Sequence, residues 1–393
     1  MRNKMTSRER ILSVINGDIP DRVPVSLFIH DEGNFLKQVY PELNLDKPLD
    51  CKYKLIDLQR ELGLDIILRM LHGMTPFWIS YGGLNTETQT NNWEISLEEY
   101  TRGNSLVKSY IIKTPERKFS QEFSSSEIAP GTISYACTKK PIKNINDLEA
   151  AIKYEPPMDQ NYPQKVKKML GKVKSYLSND GVTSIWAPGG SFNAASNLID
   201  LDMLYSLFLT DKPFFEKLID FCIKRTFPFV KAICLTGVDI INFGGNVPGG
   251  FLGKEMYDQY VLPYEKKYIQ YAKSFGTKTL YHNCGEAMIL IDSYKELGSD
   301  IAEPFSPPPL GDGNLKEAKE KSDAKFTIIG NIDQVNVLKN GSIDMIKKNT
   351  EETVKTGKQG GRFILQSADY LEYDTPVKNI EAYIETGIKY GEY

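Results

Sequence analysis

Residues 280–286 read LYHNCGE: a strand-like run ends in His282, and Cys284 follows two positions later. The chain holds only three histidines and five cysteines, so the pairing raises the question of what chemistry it serves. Side chains two apart on a strand project from one face. Imidazole nitrogen and thiolate sulfur are favoured zinc donors, and a carboxylate completes many zinc sites. Glu303 offers one, near the end of the next predicted strand, SDIAEPF over 299–305. Neighbouring strands lie about 4.8 Å apart, so His282, Cys284 and Glu303 can reach one ion. A plainer reading competes, because a buried cysteine is more often a small hydrophobe than a ligand. The placement of all three at strand ends, with Gly285 directly after the pair, favours the metal.

The elements that must position these groups follow from pattern. TSRERILSVING (6–17) sets Thr6 and Glu9 at capping-box spacing and stops at Gly17, which predicts a helix. DRVPVSLFIHDEG places Val23, Val25 and Leu27 in alternation ahead of His30, a first strand. A helix around 51–63 leads to LDIILRM (64–70), a run suited to a strand buried on both faces. A helical stretch over 146–176 then precedes six strands, at 182–188, 238–246, 277–285, 299–305, 325–333 and 361–369. Helices fall between them, and two close on Gly276 and Gly298. Eight strands in this rhythm predict the α/β class and a closed parallel (β/α)8 TIM barrel. An open doubly wound sheet is the alternative, but no G-x-G-x-x-G follows the first strand. Between about 73 and 145 the segments NNWEISLEE, SLVKSYIIKT, RKFSQEF and GTISYACTKK alternate and are divided by turn residues. They predict an antiparallel β insertion in a single barrel domain spanning 1–393.

Nearly every predicted strand ends in polar residues or glycine, and barrel active sites lie at the C-terminal strand ends. Asn246, Asn331 and Asp333 stand there as candidates to orient a substrate, with turn chemistry as the plainer role. Trp186 and Phe243 can line an aromatic pocket or fill the core. His30 can reach the pocket from the first strand, whereas His72 reads as a loop or core residue and Cys222 and Cys234 as buried apolar groups. PGG (188–190) and FGGN (243–246) only faintly resemble phosphate loops, and no lysine follows at Walker spacing. A net charge of −3 gives no broad basic face, which argues against nucleic acid or an anionic membrane as partner. Five scattered cysteines fit a reducing cytoplasm better than a disulfide framework. No apolar run reaches the roughly eighteen residues of a membrane span.

HNCG, EPFSPPPLGD, IIGNIDQVNVLKNGS and GGRFILQSADYLEYDTPVKNIEAYIETGIKYG together resemble the uroporphyrinogen decarboxylase superfamily, and within it the corrinoid-dependent methyltransferase branch. SRERILSVINGDIPDRVPV resembles that branch's N-terminal opening. The resemblance implies a (β/α)8 barrel with zinc bound through the His and Cys of H-x-C-G, a Glu and a late Cys. His282, Cys284 and Glu303 match; Ser367 stands where the late thiolate is expected. Serine is a poor zinc ligand, so three readings stand: an open fourth position, Asp369 as replacement, or loss of the metal. Fewer thiolates make a stronger Lewis acid, suited to an oxygen leaving group. The expected function is therefore transfer of a methyl group from a small methoxylated compound, an aromatic one included, to the Co(I) corrinoid of a partner protein. The chain shows no D-x-H-x-x-G-type corrinoid segment, so cobalamin is expected from that partner. A homodimer is an assembly the relatives allow.

The alternatives are methylcorrinoid:thiol methyl transfer, uroporphyrinogen decarboxylation, and a barrel that binds without catalysis, suggested by Ser367. The decarboxylase needs arginine near the first strand end, where PVSLFIHDEGN has none and carries two acids.

Overall fold

A computed structural model of the chain describes residues 4–30, 33–70, 82–130, 132–245 and 249–393. Seven parallel strands form one sheet in the order β1 (Ile66–Met70), β6 (Gly181–Trp186), β7 (Ile240–Gly244), β8 (Lys278–His282), β9 (Ile301–Glu303), β10 (Thr327–Ile332) and β11 (Phe363–Ser367). The expected first strand closes the ring as an irregular eighth stave. On one side the Leu365 N–H donates to the Pro24 carbonyl at 3.0 Å and the Ser26 N–H to the Leu365 carbonyl at 2.9 Å. On the other side the Asp65 N–H donates to the Val25 carbonyl at 2.7 Å. Pro24 has no N–H and the Phe28 N–H turns to the Ser367 hydroxyl, so no continuous ladder forms.

The barrel floor is apolar. Ile67, Val182, Ile240, Leu280, Ile301, Ile329 and Ile364, one from each strand, pack with Ile11, Val14 and Ile15 of the helix Ser7–Asn16. That helix starts and stops as its sequence predicts. The Thr6 hydroxyl receives the Glu9 N–H, the Glu9 carboxylate receives the Thr6 N–H, and Gly17 ends it at φ 93°.

The same rim shows a repeated device. DII at 65–67, DII at 239–241 and DIA at 300–302 each put an aspartate at a strand entrance. Asp239 accepts from the N–H and hydroxyl of Thr183, and Asp300 from those of Thr279, on the preceding strand in each case. Asp65 accepts from the Val25 N–H, the Ser7 hydroxyl, Arg10 and Arg22. These bonds tie strand register to the N-terminal helix.

Between β1 and β6 lies the four-stranded antiparallel sheet β2 (Glu94–Arg102), β3 (Ser105–Lys113), β4 (Lys118–Ala129) and β5 (Thr132–Lys139), paired in chain order. All four expected segments form strands, and Trp93, Ile112 and Phe119 bury their face in the main core. Residues 71–81, which include His72 and the start of the expected insertion, lie outside the described residues. The helical stretch expected over 146–176 is two helices, Ile145–Tyr154 and Tyr162–Leu177. Pro156 and Pro157 lie between them and lack the amide protons a continuous helix requires. No helix among the described residues is long and apolar enough to cross a membrane.

Asp65 anchors two arginines while almost wholly buried. Replacing it by alanine is expected to destabilise the fold by about 3–5 kcal/mol, read as a shift in the denaturant unfolding midpoint. A change within experimental error would show that the rim network carries no such weight.

Candidate metal centre

Two residues beyond each floor position, the inward side chains turn polar: Arg69, Ser184, Asn242, His282, Glu303, Asn331 and Gln366, all buried. The strand period of two puts them in one layer above the isoleucine floor. β1 and β9 stand four staves apart in a ring of eight, so Arg69 and Glu303 face each other across the lumen. Arg69 Nη1 donates to Glu303 Oε1 at 2.7 Å and Nη2 to Oε2 at 2.5 Å. The guanidinium lies over the Phe28 ring, 4.3 Å from its centroid. His282 pairs with Glu303 in register on the neighbouring strand, its Nδ1 2.9 Å from Oε1.

Burial disfavours ionisation of Glu303, but the Arg69 charge and the bonds from His282 outweigh it and bring the carboxyl down to about 2. Burial also opposes the His282 cation, yet hydrogen bonds to Cys284 and Glu303 raise the imidazole to about 10. Both directions describe one buried ion network.

His282, Cys284 and Asp369 bring one donor atom each to within 4.8 Å of one another, and among the described residues no other such His/Cys/Asp/Glu group forms. Zinc bond lengths place tetrahedral donors about 3.3–3.8 Å apart, so a contraction of about 1 Å closes the set. Imidazole, thiolate and carboxylate are the donor types zinc takes, and the residues fit such an ion. Glu303 faces His282, as adjacency required, and bonds Arg69 and His282 through its two oxygens. Asp369, one of the expected replacements for the late thiolate, joins His282 and Cys284 among the converging donors.

The other expected site residues divide. Trp186 packs edge-on to His282 with ring centroids 5.4 Å apart. His30 meets the ring of Tyr370 at 4.6 Å, beside Asp369, so it comes to the mouth from the first stave. Asn331 lies in the polar layer and donates to the Phe305 carbonyl. Asp333 accepts from the N–H groups of Val335 and Asn336 and from the Asn336 side chain, and so caps Gln334–Lys339. Ser367 receives the Phe28 N–H and closes the barrel wall. Phe243 is core, packed on Tyr268. Asn246 lies outside the described residues.

Three residues went unread in the sequence. Arg69 was hidden inside LDIILRM, although a charge amid a buried run always demands a partner. Tyr370 follows Asp369 directly. Glu265 sits buried on the helix Leu262–Lys273 and takes the N–H and hydroxyl of Ser191 at 2.6 and 2.7 Å. A carboxylate on that amide, against Gly190, leaves no phosphate cradle at PGG.

The uroporphyrinogen decarboxylase (URO-D) family model matches residues 125–390. This chain belongs to the uroporphyrinogen decarboxylase family. Over 255 residues it is 24% identical to the methylcobamide:CoM methyltransferase MtbA of Methanosarcina mazei, covering 64% of this chain and 70% of that protein. The MtbA of Methanosarcina acetivorans is 23% identical over 256 residues, with the same coverage of 64% and 70%. A solved methyltransferase from Methanosarcina mazei superposes with a TM-score of 0.68 at 17% identity over 98% of this chain and 99% of that one, which establishes a shared fold. Arg69 and the eighth stave precede the stretch that the family description matches.

Burial lifts Glu265 from the ordinary 4.5 to about 7, against the opposing bonds from Ser191. A raised carboxyl holds its proton longer in the folded state, so its contribution to stability falls as pH climbs from 4.5 to 7. Glu265→Gln is expected to flatten that slope and to stabilise the protein at pH 8 by on the order of 3 kcal/mol. Denaturant midpoints across this window check it, and an unchanged slope would assign the titration elsewhere.

Proposed function

We propose that this URO-D family member moves a methyl group between a small methylated compound and the corrinoid of a partner protein, in the cytoplasm. The substrate we assign is a methoxylated compound, aromatic ones included, with Co(I) as acceptor. The observation carrying this reading is the convergence of His282, Cys284 and Asp369 at the mouth of a barrel whose relatives are named methyltransferases.

His282 would hold zinc through Nε2, since Nδ1 faces Glu303, while Cys284 supplies sulfur and Asp369 an oxygen. Zinc in this place supplies Lewis acidity toward an ether oxygen, the atom that must keep the bonding pair when the methyl departs. A single thiolate among the donors withdraws less of that acidity than a thiolate-rich set. Trp186 stands over His282, and Phe28, His30 and Tyr370 form an aromatic cluster beside Asp369. Ring edges and faces of this kind would offer aromatic contacts to an arene. The partner's corrinoid would supply the Co(I) nucleophile that takes the methyl, while the ether oxygen, keeping the bonding pair, would take up a proton.

Thiol methylation is the second reading, because the matched MtbA proteins are named for transfer from methylcobamide to CoM. Decarboxylation loses support: Arg69, the arginine of the neighbouring stave, spends both terminal nitrogens on Glu303 and has none to offer a polycarboxylate.

The test incubates the zinc-loaded protein with cob(I)alamin and a panel of methoxylated compounds, following loss of the cob(I)alamin absorbance. Transfer is expected from at least one ether, and His282→Ala, Cys284→Ala and Asp369→Ala should each bind less than stoichiometric zinc and lose about 100-fold or more in rate. Activity only from methylcobalamin to coenzyme M would replace the ether reading with the thiol one. Full zinc content in the Cys284→Ala protein would remove the metal centre altogether.

A further inference from the structure

β8 ends at His282, so no strand ladder carries Cys284. The common direction of the two donors therefore depends on what fixes the backbone past the strand. Upstream, the Asn283 N–H donates to the Glu303 carbonyl at 3.0 Å and its side-chain amide to the Tyr294 hydroxyl at 2.8 Å. Downstream, Gly285 turns the chain at φ 88°, in the left-handed region that favours glycine. The residues after it are held by a different part of the barrel mouth.

The holder is the loop between β9 and the helix Leu315–Ser322. That loop is braced internally: the Leu310 N–H donates to the Pro307 carbonyl at 2.9 Å and the Gly313 N–H to the Ser306 carbonyl at 2.8 Å. From it Asp312 reaches across, and its Oδ1 alone accepts the Ala287 N–H at 2.7 Å and the Met288 N–H at 3.1 Å. Beside it Gly311 lies against the turn, where a Cβ would stand 2.4 Å from the Gly285 carbonyl oxygen. The loop thus meets the chain directly after Cys284 and again at Ala287 and Met288. Cys284 is fixed between Asn283 on one side and this double contact on the other.

We infer that Asp312 is a positioning residue of the metal centre: by gathering the Ala287 and Met288 amides onto one oxygen it sets where Cys284 presents its sulfur, and so tunes the affinity for a divalent cation. The inference rests on the reading that Cys284 is a ligand, and it holds whichever carboxylate completes the set. The role requires an acceptor oxygen at 312 and no charge. A plainer role, as a cap for the turn Met288–Leu290 and the helix Ile291–Leu297 behind it, would cost stability without loss of metal.

The test uses the full chain, stripped with a chelator and titrated with zinc against a competing chromophoric chelator. Asp312→Ala is expected to weaken zinc binding about 10-fold, in the range of groups that orient ligands. Asp312→Asn keeps the accepting oxygen and should restore wild-type affinity. Asn314→Ala is the control. In the same loop Asn314 caps Leu315–Ser322 by accepting the Glu317 N–H at 3.2 Å, so its loss should lower stability and leave zinc binding unchanged. With cobalt(II) in place of zinc, the thiolate charge-transfer band should weaken in Asp312→Ala and persist in Asn314→Ala. Unchanged zinc affinity in Asp312→Ala would overturn the inference. So would an equal loss in Asp312→Asn, which assigns the effect to charge, or in Asn314→Ala, which assigns it to general loosening of the loop. Should Asp312→Ala not fold, Gly311→Ala takes its place, because the added methyl pushes the loop and the Gly285 carbonyl apart while removing no hydrogen-bonding group. A loss of about 10-fold there supports the inference, and wild-type affinity overturns it. A wild-type protein that takes up no zinc would overturn the metal reading and this inference together, whereas zinc uptake indifferent to Asp312 would overturn this inference only.

Discussion

The pair between Arg69 and Glu303 spans the barrel from wall to wall, and His282 leans on the same carboxylate. Three ionisable groups stripped of water form a costly arrangement unless the charges are paired through hydrogen bonds. Here Arg69 and His282 each bond to the Glu303 carboxylate. The identity of any one member therefore constrains the other two, and the mouth of the barrel can take only a narrow set of side chains at β1, β8 and β9. The aromatic support from Phe28 brings the closing stave into the same constraint.

Beneath this layer the floor of branched aliphatic residues and the helix Ser7–Asn16 shut the lumen from below. A low-dielectric floor strengthens every charge–charge contact above it and leaves the C-terminal strand ends as the open side. The strand-entry aspartates hold the register at the opposite rim, where a one-residue slip would exchange inward polar groups for outward apolar ones. Fold and site are thus linked by strand period: the alternation that buries isoleucine below sets histidine and glutamate above.

Membership in the uroporphyrinogen decarboxylase family accounts for the scaffold, since one barrel can carry different reactions at its loops. An arginine that could otherwise greet an anionic substrate is neutralised inside the wall, and a histidine, a cysteine and an aspartate take the mouth. With Arg69 paired inside the wall, that layer is poorly suited to gathering carboxylates.

The chain's own pattern was enough for the eight staves, the antiparallel insertion, the first helix and the nearness of His282 to both Cys284 and Glu303. These follow from periodicity, capping and adjacency, all local or nearest-neighbour properties. The limits of local reading show at Pro24, which leaves the first stave without a ladder, and at Pro156 and Pro157, which divide a helix. The charge that Glu303 meets across the lumen was beyond it. That partner is Arg69, 234 residues from Glu303 along the chain and opposite it in space. Local order determines which way a side chain points from its strand; only closure of the barrel decides which distant charge it meets there.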